Sequence, residues 1–241
     1  MNISIIIPIY KEDDNILELI TKIDHNLKIN NHHYMIILVD DSPTNSTENI
    51  IKKYEEKVKL IYRGKKLGRG SAVLEGIKAA LNSNLTDLII EMDADFSHDP
   101  SEINENVEIF VKNNCDLLVA SRYLNKSKII NWPISRKILS LMSNKLAKFF
   151  LKIPISDYTN GFRFYSKDAA KHISLNCGKI GDGFIVLSEI LLELHTNNFR
   201  LFETETVFKN RIKGTSSVNI ILLLNSLLGL FKLFLKKLKK K

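Results

Sequence analysis

Cysteine is scarce in this chain of 241 residues: only Cys115 and Cys177, far apart and without ligand-like neighbours. That excludes a disulfide framework and a zinc site, and it suits a reducing compartment. The opening MNISIIIPIYKEDD has no basic region before its apolar run and no small-residue cleavage site. It is therefore read as a strand rather than a signal peptide. Internal repeats and low-complexity linkers are missing as well. So is a basic surface interleaved with aromatics. The formal charge is +8, but six lysines between positions 232 and 241 supply most of it and leave +2 for the remainder. The basicity belongs to a tail, and nucleic acid is not an expected partner.

Glycine-rich nucleotide signatures are also lacking. Gly68-Arg69-Gly70-Ser71 precedes a helical stretch, where backbone N–H groups suit an anion. It has neither the lysine of a Walker loop nor the three glycines of a dinucleotide fingerprint.

What is present is alternation. With 44% apolar residues the chain can bury one good-sized core and still carry an appendage. Short β-branched runs predict strands at Ile3–Ile9, Tyr34–Val39, Val58–Tyr62, Leu88–Met92 and Asp116–Ala120. Between them, helical periods cover Asp14–Leu27, Ser46–Tyr54, Ser71–Leu81 and Glu102–Val111. This is the pattern of an α/β fold with a mostly parallel sheet flanked by crossover helices.

The stretch LIIEMDADFSHDP (88–100) carries the strongest chemical signal. An apolar run of central-strand type ends in Asp93 and Asp95, two apart, so that in extended chain both point the same way and can hold one divalent cation. Helix capping or a solvated loop is the other use of such acids. Their position favours the metal, because open α/β sheets bind ligands at the carboxyl ends of their strands, and a hard cation there commonly meets a diphosphate. Asp99 before Pro100 is an N-cap for the helix starting near Ser101. Other strand ends are polar too. Pro8, Tyr10 and Glu12 follow the first strand, and Asp40-Asp41-Ser42 the second. Asp40 can accept hydrogen bonds from a base or ribose, whereas Asp41 or Ser42 can cap the next helix.

Taken in order, PIYKE (8–12), VDDSP (39–43), KLGRGSA (66–72), DADFSHDP (93–100), SRY (121–123), WPISR (132–136), NGFRFY (160–165) and RIKGTS (211–216) carry a family resemblance. The chain resembles the polyprenyl-phosphate hexosyltransferases of the dolichyl-phosphate mannose synthase type, within the family-two inverting glycosyltransferases, from about Ile5 to Ser216. The resemblance implies a Rossmann-like fold of GT-A type. It implies that Pro8, Tyr10, Glu12 and Asp40 line the nucleotide pocket and that Asp93, Ala94 and Asp95 meet the donor diphosphate. Asp93 and Asp95 would hold Mg2+ or Mn2+. Arg122, Arg136 and Ser140 match binders of the acceptor phosphate, and Arg211 matches an arginine that closes over the donor diphosphate. Departures from the pattern are Thr44-Asn45-Ser46-Thr47 for the usual D-G-T, Ser97 near the metal, Asp157-Tyr158-Thr159-Asn160 for D-P-T-S, and Ser217 where a lysine is common.

The reaction implied moves a hexose, mannose by preference, from a nucleotide diphosphate sugar to a polyprenyl phosphate with inversion. GDP-mannose and UDP-glucose both fit as donors. Alternatives are transfer to a glycan or protein hydroxyl, which needs a general base, and a catalytically silent scaffold at the membrane. Ser135–Leu151 is expected as an amphipathic helix, near the membrane by resemblance or packed on the core. Val218–Leu235 has a single charge, Lys232, while Asn225, Gly229, Lys232, Lys236 and Lys240 draw a polar stripe along it. A helix lying in the membrane interface is favoured over a spanning one, with packing on the core or on a second subunit as the further option. The expected organisation is a glycosyltransferase domain over 1–216 and a membrane-associated helix over 217–241, at the cytoplasmic face of a membrane, held peripherally or by its C-terminal helix. The sequence sets no oligomeric state.

Overall fold

A computed structural model describes residues 1–30, 32–83, 86–211 and 220–239, the last helix with its side chains from 225 to 238. In chain order the elements are β1 (Asn2–Ile9), α1 (Asp13–Ile29), β2 (His33–Asp40), α2 (Ser46–Ile51), β3 (Val58–Tyr62), α3 (Arg69–Leu81), β4 (Leu88–Glu91), α4 (Ile103–Lys112) and β5 (Leu117–Ser121). There follow β6 (Lys128–Ile130), α5 (Ile134–Leu151), β7 (Arg163–Ser166), α6 (Lys167–Asn176), α7 (Ile185–Thr196), β8 (Leu201–Glu205), β9 (Val207–Lys209) and α8 (Ile220–Lys239).

The main sheet has the order β3-β2-β1-β4-β7-β5-β8. All its pairings are parallel except those of β7, which runs antiparallel between β4 and β5. Strand order reverses at β1, with β2 on one side and β4 on the other. Their carboxyl ends therefore open a crevice of the kind that binds ligands in α/β sheets.

Both faces of the sheet are covered, which is why the central strands read as continuous apolar runs. Along β1, Ile6 joins the core beneath α3, α6 and α7, while Ile3, Ile5, Ile7 and Ile9 join the core beneath α1 and α4. Helix α1 forms because Ile16, Leu19, Ile20, Ile23 and Leu27 fall on one buried face. Asp13 and Asp14 in its first turn and Lys28 in its last suit the helix dipole. Asp99 caps as expected, accepting from the Ser101 amide at 3.0 Å ahead of a short 3-10 turn over Pro100–Glu102.

Two expectations need correction. Neither Asp41 nor Ser42 caps α2, whose N-cap is Asn45. Asp41 instead accepts from Arg63 at 2.5 Å and from the Leu67 and Gly68 amides, and the Ser42 hydroxyl accepts from the Lys11 amide. The glycine-rich turn does not offer its amides freely either: the Ser71 N–H donates to the Asp182 carbonyl at 3.1 Å, and that of Ala72 to Gly68.

The expected boundary at 216/217, with Ser216, Ser217 and Val218, lies outside the described residues, as does Lys240. The described part of α8 packs on α5 and α7. Leu230 and Leu233 are buried in the core, and Phe234 meets Phe150 edge-on at 5.3 Å. The polar stripe read from the sequence turns partly inward, onto the core. Gly229 is buried where a Cβ would run into Ile185, and Lys236 reaches buried Glu193 at 3.1 Å and Glu189 at 3.5 Å. The outward face carries Leu227, Leu228, Phe231, Lys232, Leu235 and Leu238. Among the described residues no helix is long and apolar enough to cross a membrane.

Because Leu233 is wholly buried, Leu233→Ala is expected to lower global stability by about 2–5 kcal/mol. Urea unfolding checks this. An unchanged midpoint would mean that α8 stands outside the cooperative core.

Candidate active site

Strand β4 delivers the acids. Its last residue, Glu91, is fully buried, and the chain then turns through Asp93-Ala94-Asp95-Phe96, with Phe96 left-handed at φ 60°. His98 closes the turn: its Nδ1 accepts the Asp93 amide at 3.0 Å, so its Nε2 carries the proton and donates to Asn160 Oδ1 at 2.9 Å. The ring stacks on Phe162 at 5.2 Å. Asp95 Oδ1 accepts the Ser97 amide at 3.1 Å, which ties the second acid to the same turn. Ala94 between them is buried.

From α3, Arg69 reaches into this turn. Its Nε and Nη2 donate to Asp93 Oδ1 at 2.8 and 2.6 Å, and its Nη1 to Glu91 Oε1 at 2.6 Å. The other Glu91 oxygen accepts from the Tyr165 hydroxyl at 2.6 Å. Gly161 leaves room for this arrangement, because a Cβ at that position would force the guanidinium to shift. Burial alone would raise the Asp93 pKa, but the Arg69 guanidinium first and Arg211 after it outweigh that and hold the carboxyl down at about 2.

The opposite wall comes from β1 and from the loop after β9. Arg211 pairs with Asp95 at 3.2 Å. Glu12, half-buried, has its pKa raised by burial, offset in part by the hydrogen bond from Asn15 and reinforced by the charges of Asp95 and Asp93. Pro8 is half-buried next to the end of β1, paired with Val39 of β2. Tyr10 is half-buried, with Lys66 4.3 Å from its ring centre and Lys11 at 5.5 Å. Asp40 is buried, its oxygens accepting from the Ser42 amide at 2.8 Å and the Thr47 hydroxyl at 2.6 Å.

The third group stands beyond the end of β5. Arg122 is buried against Asp157, with Nε to Oδ2 at 2.7 Å and Nη2 to Oδ1 at 2.8 Å, and it also donates to Thr159 at 2.6 Å. Arg136, half-buried, lies 4.6 Å from the Trp132 ring centre, and its Nη1 is 3.3 Å from Asn210 Oδ1. Burial, followed by the charges of Arg211 and Arg122, lowers its pKa, with Asp95 opposing. Ser140 on α5 accepts from the Tyr123 hydroxyl at 2.7 Å.

Arg211 is in contact with Asp95, and the charges of Asp93, Asp95, Arg211 and Arg122 act on Glu12 or Arg136, so these six side chains lie in one neighbourhood beyond the ends of β1, β4 and β5. The acids' donor set suits a hard divalent ion. Asp93 keeps Oδ2 clear of Arg69, with His98 3.9 Å away, and Asp95 turns Oδ2 toward Arg211. Carboxylate oxygens alone favour Mg2+ or Mn2+, and two of them leave coordination positions for diphosphate oxygens and water. No cluster of three His, Cys, Asp or Glu suited to a metal occurs among the described residues.

Sequence reasoning assigned no role to Arg69, Glu91, His98, Trp132 or Asp157. Glu91 was the available signal, an acid inside an otherwise apolar strand that needs a buried cation. Asp157 gave none, since its partner is 35 residues away.

Comparison with known proteins gives the family and the fold. The profile of the family described as Glycosyl transferase family 2 matches residues 4–174. A dolichol-phosphate mannosyltransferase of Pyrococcus furiosus is 34% identical over 224 residues, covering 90% of this chain and 59% of that protein. The chain thus spans less than two thirds of that relative's length. A polyprenol monophosphomannose synthase of Mycolicibacterium smegmatis is 28% identical over 219 residues, 89% of this chain and 80% of that one. Among solved structures, glucosyl-3-phosphoglycerate synthase from Mycobacterium tuberculosis in complex with Mn2+, uridine diphosphate and phosphoglyceric acid has a TM-score of 0.68. That match covers 97% of this chain and 78% of the other at 14% identity, a likeness of fold, here the GT-A type.

Asp157→Asn would strand the buried Arg122 charge and is expected to cost about 3–5 kcal/mol by urea unfolding. The Asp157 pKa is lowered because Arg122 and its hydrogen bonds overcome burial, so its contribution is present above the ordinary carboxylate range and lost as pH falls below it. The variant's stability should therefore depend less on pH between 5 and 2, roughly. A cost below about 1 kcal/mol would show that Arg122 is balanced elsewhere.

Proposed function

The chain belongs to glycosyl transferase family 2, and we propose that it transfers a hexose, mannose by preference, from a nucleotide diphosphate sugar to a polyprenyl phosphate. One observation supports this reading: beyond the end of β4 the acids are met by arginine, Arg211 pairing with Asp95 at 3.2 Å and Arg136 lying near enough to feel the charges of both. The names of the Pyrococcus and Mycolicibacterium relatives support the same substrates.

The reaction has to bring two polyanions together. At 4 Å two unit charges repel by about 4 kcal/mol at an effective dielectric near 20. Asp93 and Asp95 would hold Mg2+ or Mn2+ against the donor diphosphate, an ion that supplies charge neutralisation for the leaving group. Arg211, already beside Asp95, is placed to reach that diphosphate. On the acceptor side Arg136 has Asn210 as its hydrogen-bond partner among the described residues, while Arg122 is oriented by Asp157 through Nε and Nη2. Arg122 then serves as a fixed positive wall, with Ser140 and Tyr123 beside it. Tyr10, Pro8 and Glu12 would line the nucleotide end, whereas Asp40, expected there to accept from a base or ribose, is fully buried with its two oxygens already accepting from Ser42 and Thr47. An acceptor phosphate monoester, with a second pKa of about 6, is ionised at neutral pH and needs no protein base.

A second reading, transfer to a sugar or protein hydroxyl, would need such a base, and the raised Glu12 carboxyl is the group that favours it.

The membrane is the proposed location of the acceptor. On α5, which opens beside the acceptor wall, Ile134, Ile138, Met142 and Phe149 are exposed. On α8, packed alongside, Leu227, Leu228, Phe231, Leu235 and Leu238 are exposed. These residues with Lys145, Lys148 and Lys232 form an apolar and basic surface of the kind that settles on anionic lipid. Peripheral attachment at the cytoplasmic face, with α8 lying on the interface rather than across it, is the arrangement we favour.

Incubating purified protein, Mn2+ and a polyprenyl phosphate with a panel of labelled nucleotide sugars tests the reaction. Label from GDP-mannose is expected in the organic phase; label from UDP-glucose would change the donor, and label on a glycan alone would favour the second reading. Asp95→Ala should reduce transfer by at least about 100-fold with the fold intact, and Arg136→Ala should raise the KM for lipid phosphate much more than that for donor. Vesicles containing phosphatidylglycerol should float the protein, and Phe149→Asp with Leu228→Asp should release it. Equal flotation of that double variant would move the membrane contact elsewhere.

A further inference from the structure

Trp132 is the chain's single tryptophan, and in the structure it has an unanswered hydrogen-bond donor. The residue is 8% exposed, and its indole Nε1–H is buried with no partner among the described residues. Its ring lies between two arginines, 4.6 Å from the Arg136 guanidinium carbon and 5.5 Å from that of Arg122, with Phe208 edge-on at 5.0 Å. Pro133 and the first turn of α5 follow directly, so the positive end of an 18-residue helix adjoins the same spot.

A buried N–H left unpaired destabilises the fold, and an apolar ring without it would pack as well. The donor is therefore explained if it is answered by a ligand. An indole N–H only donates, so the ligand must offer an acceptor oxygen. The guanidiniums beside it call for a negative one. A guanidinium resting on an aromatic face keeps its own N–H edge for hydrogen bonds, so ring and cations can act on one group. A phosphate monoester, with three acceptor oxygens and close to two negative charges, fits this set.

We propose that the Trp132 indole N–H is a direct ligand of the acceptor's phosphate monoester, binding it together with Arg136. The proposal rests on the acceptor reading of that wall given above and adds to it a neutral donor, whose contribution does not titrate.

Because Trp132 is the only tryptophan, its emission reports the site without any turnover. Titration with farnesyl phosphate is expected to change that emission saturably, farnesol to leave it unchanged, and inorganic phosphate to act only at much higher concentration. An equal response to inorganic phosphate would assign the site to free phosphate rather than to a lipid headgroup and overturn the lipid assignment. Trp132→Phe keeps an aromatic ring and removes the N–H. It should raise the KM for farnesyl phosphate about ten-fold, leave that for the nucleotide sugar unchanged, and leave Tm unchanged or higher. A structural N–H would give the opposite pair, a lower Tm with an unchanged acceptor KM, and that result overturns the proposal. Should Trp132→Phe fail to fold, replacement by benzothienylalanine, which puts sulfur in place of the N–H within the same outline, gives the same comparison. If wild-type protein transfers sugar to no polyprenyl phosphate yet its emission still answers farnesyl phosphate and not farnesol, the function reading falls and this one stands. If transfer proceeds with silent emission and an unchanged acceptor KM in the variant, this one falls alone.

Discussion

A guanidinium taken out of water has to find acceptors for its N–H groups, and two arginines that find them in carboxylates shape the site. Arg69 lies between Glu91 and Asp93, and Arg122 against Asp157. Removing one member of such a pair leaves a buried charge with nothing to balance it, at about 3–5 kcal/mol. The pairs thereby fix positions rather than merely add stability. Asp93 cannot swing away, because its turn is held at one end by Arg69 and at the other by His98. Asp157 and Thr159 hold Arg122 through Nε and Nη2 and leave its Nη1 edge for a ligand, beside Arg136, whose polar partner is a neutral asparagine.

The supports of these pairs come from distant parts of the chain. Tyr165 of β7 holds Glu91 from behind, and Gly161 leaves room for the Arg69 guanidinium. Asn160 receives the His98 proton and donates in turn to the Ala120 carbonyl at the end of β5. The antiparallel strand inserted between β4 and β5 therefore links the acidic side of the cleft to the basic side.

Strands β1 to β5 were legible because each is an apolar run flanked by polar residues, and the acids after β4 because spacing and position both pointed to a strand end. Strand β7 was not. It is four residues long and begins with Arg163, which is fully buried, donating to the Asn160, Tyr158 and Leu187 carbonyls. A charged residue of that kind looks in sequence like a surface position. The inward face of the last helix was not legible for a different reason. Periodicity shows that its faces differ, but not which face meets the core, and here Gly229 and Lys236 turn inward because Ile185 needs the space and the Glu189–Glu193 pair needs a cation. Arg69 was quoted in its motif yet given no role, since nothing local connects position 69 with Glu91 and Asp93, both more than twenty residues on.

The account rests on two phosphorylated molecules meeting in one cleft, one carried by a divalent ion on the aspartates and the other by Arg136. The most direct measurement is the phosphorus NMR relaxation of bound farnesyl phosphate with GDP and either Mg2+ or Mn2+. Paramagnetic Mn2+ should strongly broaden the acceptor's phosphorus signal, and Asp95→Ala should restore it while the lipid stays bound. A bound acceptor whose signal is the same with either metal would place the two phosphates apart and contradict the account.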